Sequence, residues 1–158
     1  VNGAEAAHSA RTAKRDAVPA VRLGAAHTEL RGTKVLVVDD DMRNICALTA
    51  LLERSSAEVV HAQSGFAALE ILEQHRDFTV VLMDIMMPIM DGYETIRAIR
   101  SSGHSSGLPI IAVTGKAVGG ERHRCLAAGA DDYVPKPVNS AQLLVALAPW
   151  VSPPAKAS

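Results

Sequence analysis

A small set of side chains in this sequence could do chemistry together. Asp39 and Asp40 follow the apolar run Lys34–Val38 (KVLVV), and Asp84 ends the run Val80–Asp84 (VVLMD). Thr114 ends Pro109–Thr114 (PIIAVT), and Lys136 stands between two prolines just after Asp132–Val134. A carboxylate at the end of a buried run is costly unless it has partners or a task. Carboxylates converging on one pocket repel each other and, left alone, would bind protons. A hard divalent cation resolves this, and Mg²⁺ prefers oxygen ligands and keeps several waters. A cation held by Asp40 and Asp84 leaves one oxygen of Asp84 free to attack phosphorus. Lys136 supplies positive charge and Thr114 a hydroxyl donor. Such chemistry rests on positioning and charge stabilisation, and its product is an aspartyl phosphate.

Those residues work together only if the chain brings them to one edge. The apolar runs read as strands: Lys34–Val38, Ala57–His61, Thr79–Asp84, Pro109–Thr114 and the short Asp132–Val134. Helical patterns separate them. One is capped by Asp41, with Ile45, Leu48, Leu51 and Leu52 as its stripe to about Arg54. Ser64–Gln74 follows, with Phe66, Leu69, Ile71 and Leu72 inward. Then come Tyr93–Ser101, Ala117–Ala128 closed by Gly129, and a helix capped by Asn139 to about Trp150. Gly119–Gly120 reads equally as a weak helix start or as a softening of that face. Alternating strands and helices with short connections predict an α/β domain with a doubly wound parallel sheet and helices on both faces. Parallel strands put all their C-terminal ends on one edge, where ligands bind in such sheets. Neither GxxxxGK[ST] nor GxGxxG appears.

Composition narrows the remaining classes. At 158 residues the chain can bury a sizeable core, and with 48% hydrophobic but 3% aromatic residues that core is aliphatic. A formal net charge of -1 makes no case for nucleic acid or an acidic membrane surface. Cys46 and Cys125, both in helical patterns, read as buried apolar residues in a reducing compartment, which places the chain in the cytoplasm. The histidines lack ligand spacing. Met83, Met86, Met87 and Met90 read as packing and loop filler. Residues 1–32, rich in Ala and small polar residues and broken by Pro19 and Gly24, read as a linker or disordered segment, with room for a short helix in Ala4–Ala17. Residues 33–151 are the domain and 152–158 a tail. There is no initiator Met, no signal-peptide core and no bilayer-length apolar run, so the chain reads as a fragment or processed form with no membrane contact of its own.

Taken in order, VVDD at Val37–Asp40, MDIMMPIMDG at Met83–Gly92, VTGKA at Val113–Ala117 and YVPKPV at Tyr133–Val138 resemble the receiver domain of bacterial two-component response regulators. The resemblance covers about 33–151. It implies a flavodoxin-like five-stranded sheet of order 2-1-3-4-5, an order under which a receiver protein is itself the standard illustration. It also implies Asp84 as phosphoacceptor and a Mg²⁺ (or Mn²⁺) site made by Asp39, Asp40, Asp84 and the Met86 carbonyl. Thr114 and Lys136 would contact the phosphoryl group. Tyr133 takes the aromatic switch position with Thr114, and the Lys136–Pro137 bond is expected cis. Met86 and Lys116 take the positions that flank the hydrolytic water's path. The implied partner is a histidine kinase or a histidine phosphotransfer protein, with no nucleic acid bound by this fragment. The only catalysis implied is the domain's own phosphorylation and dephosphorylation.

DDDMRN, TGKA and RCLAAGADDY look most like receivers of hybrid histidine kinases, whose kinase core would precede the linker; the alternative is a stand-alone single-domain response regulator. Two departures are visible. Gly115 replaces the commoner Ala, and Pro135 precedes Lys136, which an edge strand tolerates. Two other functions compete. A phosphatase of the haloacid-dehalogenase type also uses a strand-end Asp, but it wants DxDx[TV]. Asp39–Arg43 reads DDDMR, and Asp84 has no Asp two residues on. A pseudo-receiver that only binds protein would not need the intact pocket residues.

Overall fold

The computed structural model describes residues 30–115 and 119–151. The Ala4–Ala17 helix, the 152–158 tail, Lys116 and the Ala117 helix start lie outside the described residues, as does nearly all of the 1–32 segment. Strands and helices alternate: β1 (Lys34–Val38), α1 (Met42–Glu53), β2 (Glu58–Ala62), α2 (Gly65–Gln74), β3 (Val80–Asp84), α3 (Gly92–Ser101), β4 (Ile110–Thr114), α4 (Glu121–Ala128), β5 (Asp132–Pro135) and α5 (Ser140–Leu147). The sheet order is β2-β1-β3-β4-β5, and every pairing is parallel. The predicted fold class is the one observed.

Side chains alternate across each strand, so the sheet makes two cores. Leu36, Val38, Val81 and Met83 face α2, α3 and α4, where Leu72, Ile96, Ile99 and Cys125 pack on them. Val35, Val37, Val80 and Leu82 face α1 and α5, meeting Ile45, Leu52, Leu143 and Leu147. Leu30 joins this second core and hydrogen-bonds the Ser55 carbonyl, so packing begins upstream of β1.

The caps at Asp41 and Asn139 fall where the sequence puts them, and Ser64, expected as the first helix residue, is a cap instead. Asp41 accepts from the Arg43 N–H, Ser64 from Ala67 and Asn139 from Gln142. Gly129 closes α4. Two expectations fail. Phe66 is 61% exposed, because Gly65, Ala68 and Leu72 form the inward stripe of α2 and turn the neighbouring position outward. Cys46 is exposed as well, since it follows Ile45 and lies off the face that Ile45, Leu48 and Leu52 bury.

Candidate functional site

The strand ends deliver the acids. β1 leads into Asp39 and β3 ends on Asp84, and both are buried, while Asp40 is exposed. Carboxylate oxygens of Asp39, Asp40 and Asp84 lie within 4.8 Å of one another. Lys136, just past β5, hydrogen-bonds Asp84 Oδ1 through Nζ at 2.8 Å and approaches Asp39 Oδ2 at 3.6 Å. Its own N–H donates to the Thr114 carbonyl at 2.8 Å, which locks the β5 end to the β4 end. The Lys136–Pro137 bond is cis, as expected.

Local geometry fixes Asp84. The Gly92 N–H donates to the Ile85 carbonyl at 2.9 Å. A Cβ on Gly92 would clash with the Asp84 carbonyl oxygen and the Ile85 Cα, so only glycine lets α3 begin this close to β3. A capping box pins the same turn: Asp91 accepts from the Glu94 N–H, and Glu94 accepts from the Asp91 N–H, each at 2.9 Å. Between them, Met90 N–H bonds the Pro88 carbonyl at 2.7 Å around Ile89, which has φ 68 and is 92% exposed.

Charge at the site is unbalanced. Burial, then the Asp39 and Asp40 charges, push the Asp84 carboxyl up to about 6, against the pull of its hydrogen bond to Lys136. Burial works to lower the Lys136 ammonium, but the bond to Asp84 and the charges of Asp84 and Asp39 outweigh it and hold its pKa above the ordinary value. Three carboxylates against one ammonium leave an excess of negative charge in an oxygen-rich cluster with one member open to water. That donor set suits a hard divalent cation that keeps part of its hydration.

The other expected residues sit around this cluster. Thr114 is fully buried at the end of β4, and its hydroxyl donates to Glu121 Oε2 at 3.3 Å. Tyr133 is half-buried and packs against the core on the α2–α4 face. The Met86 side chain is 56% exposed beside the pocket. A groove of about 230 Å³ adjoins the acids between α1 and the β5–α5 connection, lined in part by Asn44, Leu51 and Val138.

Sequence reasoning missed two features. Glu121 is 1% exposed and accepts from Tyr93 at 2.5 Å as well as from Thr114. The signal was present: Glu121 precedes Cys125 by one helical turn, so a buried Cys125 carries Glu121 inward. Arg100 donates to the carbonyls of Ser106, Leu108 and Gly129 and to Asp131 Oδ2. No spacing rule foretells such a clamp.

The profile described as "Response regulator receiver domain" matches residues 35–148. Over 123 residues, 76% of the chain, it is 41% identical to the sensor protein GacS of Pseudomonas syringae pv. syringae. It is 38% identical over 109 residues, 69% of the chain, to the signal transduction histidine-protein kinase BarA of Escherichia coli K12. The chain spans only 14% and 12% of those two proteins. Among solved structures, the receiver domain of the sensor histidine kinase PA1611 from Pseudomonas aeruginosa PAO1 matches with a TM-score of 0.69 and 35% identity. That match covers 75% of this chain and 97% of that one, whose structure has a magnesium ion coordinated in its active-site cleft. Vibrio cholerae CheY4 matches at a TM-score of 0.70 with 30% identity, over 75% of this chain and 98% of that one.

Proposed function

This chain belongs to the response regulator receiver family, and from that premise we propose that it takes a phosphoryl group from a phosphohistidine onto Asp84. One oxygen of the Asp84 carboxylate attacks phosphorus in line. The P–N bond breaks as the O–P bond forms, and the imidazole leaves as the neutral ring, keeping the proton on its other nitrogen. Lys136, already on Asp84 Oδ1, follows the negative charge onto the phosphoryl oxygens. The Thr114 hydroxyl donates to one of those oxygens. Asp39, Asp40, Asp84 and the Met86 carbonyl would hold Mg²⁺ (or Mn²⁺), which supplies neutralising charge when bound. Tyr133 turns inward as Thr114 moves, and so passes the change to the α4–β5–α5 surface.

The observation that carries this reading is the buried Asp84 held at 2.8 Å by Lys136 inside a three-carboxylate cluster. Intact-mass analysis with Mg²⁺ and acetyl phosphate or a phosphohistidine donor tests it. The chain gains one acid-stable, base-labile phosphoryl group, and Asp84→Asn gains none. Labelling that persists in Asp84→Asn overturns the assignment.

We take 33–151 as the receiver unit, 1–32 as its linker and 152–158 as a tail. The family match at 35–148 supports that division. The sensor kinases among its relatives favour a segment of a hybrid histidine kinase over a stand-alone regulator. The partner is then a histidine kinase or a histidine phosphotransfer protein, and this segment contacts neither nucleic acid nor membrane. A cytoplasmic site of action is part of the same proposal; among the described residues no helix is long and apolar enough to cross a membrane.

A further inference from the structure

Glu121 is a buried carboxylate that the phosphoryl chemistry does not use. It opens α4 on the face shared with Cys125 and Ala128 and is 1% exposed. Its Oε2 accepts from Tyr93 at 2.5 Å, from Thr114 at 3.3 Å and from the Cys125 thiol at 3.7 Å. Among the described residues its Oε1 has no hydrogen-bond partner, and the Arg124 guanidinium approaches it at 3.8 Å. Arg124 also lies over the Tyr93 ring, 4.8 Å from its centre. One carboxylate therefore ties the start of α3, the end of β4 and the first turns of α4 together.

A threonine hydroxyl has one proton to donate. While that proton is on Glu121, it is not on a phosphoryl oxygen. The two acceptors compete for the same donor, and the resting structure shows the Glu121 arm engaged.

We propose that Glu121 is a positioning residue that acts through Thr114, holding its hydroxyl toward α4 until a phosphoryl group on Asp84 takes the proton over. This rests on the phosphoacceptor reading of Asp84. The exchange leaves Glu121 with Tyr93 and Cys125, so the tie between β4 and α4 loosens as Asp84 is modified. Glu121 thus sets how readily the pocket accepts its ligand, without touching it.

The test measures the affinity of beryllofluoride, a phosphoryl mimic, for the full chain with saturating Mg²⁺, followed by NMR. Glu121→Gln keeps the shape but replaces a charged acceptor with a neutral one, so Thr114 is released more easily. Beryllofluoride then binds about tenfold more tightly, the scale of one hydrogen bond to a charged group. In a Thr114→Val background the same substitution changes nothing, which a merely structural role for Glu121 would not produce. If Glu121→Gln fails to fold, Tyr93→Phe gives the reverse test. Removing the competing donor strengthens Glu121's hold on Thr114, and binding weakens. Affinity unchanged by the single substitution, or changed equally in the Thr114→Val background, overturns the proposal. Failure of the unsubstituted chain to bind beryllofluoride at Asp84 instead overturns the phosphoacceptor reading on which it stands.

Discussion

Asp84 meets two opposed demands. As the proposed phosphoacceptor it must be ionised to attack phosphorus, yet burial and the neighbouring acids raise its pKa to about 6. An acid with a folded pKa above the ordinary 3.8 favours the native state at low pH, and that contribution is lost as pH rises from about 4 through 6. In chelator-containing buffer, Asp84→Asn should therefore stabilise the chain more at pH 7.5 than at pH 4.5, by about 2 kcal/mol. Thermal melts of both proteins at both pH values check this, and a gain independent of pH would contradict it. Phosphate lifetime belongs to the same scale. Met86, exposed beside the pocket, has no group to orient water. Lys116 donates but, when charged, accepts no proton. Self-dephosphorylation should be slow, and Met86→Asn with Lys116→Glu should shorten the lifetime of the phosphoprotein. Decay within seconds, unaltered by both changes, would count against that assignment.

Among the elements, the turn from β3 into α3 is the most constrained. Gly92→Ala would drive a Cβ into the Asp84 carbonyl and the Ile85 Cα, which are backbone atoms and cannot swing aside. Urea unfolding should show a loss of about 2 kcal/mol or more, together with slower phosphorylation because Asp84 is displaced. Gly103→Ala, with nothing within 4 Å of the added carbon, serves as the control. Equal midpoints for the two variants would refute the close approach. This turn was legible as an Asp-Gly stop, and the capping signals at Asp41 and Asn139 gave two of the helix starts. Helix faces were harder to read. Apolar type alone points Phe66 and Cys46 inward, but helical phase decides their exposure. In both helices Gly65, Ala68 and Leu72, or Ile45, Leu48 and Leu52, already fill the buried stripe.

For the whole molecule, the parallel sheet and its acidic edge were legible because strands alternate with helices and end in charged residues, while the strand order came only with the family resemblance. The Glu121 and Arg100 networks were not legible, because they depend on long-range side-chain meetings rather than on local spacing. The same topology has one more consequence. Lys136 and Asp84 meet across 52 positions of sequence, and their strands are joined only through β4. No local segment of the chain carries the pocket, so an unfolded copy is chemically silent. If Asp84 is the acceptor proposed above, acceptor competence would report on tertiary structure, and a phosphodonor would in effect proofread folding before it signals. Across a urea titration the fraction of chain that can be phosphorylated should fall along the same curve as the helical circular dichroism. Labelling that survives the loss of helix would locate a competent acceptor in a partly folded chain.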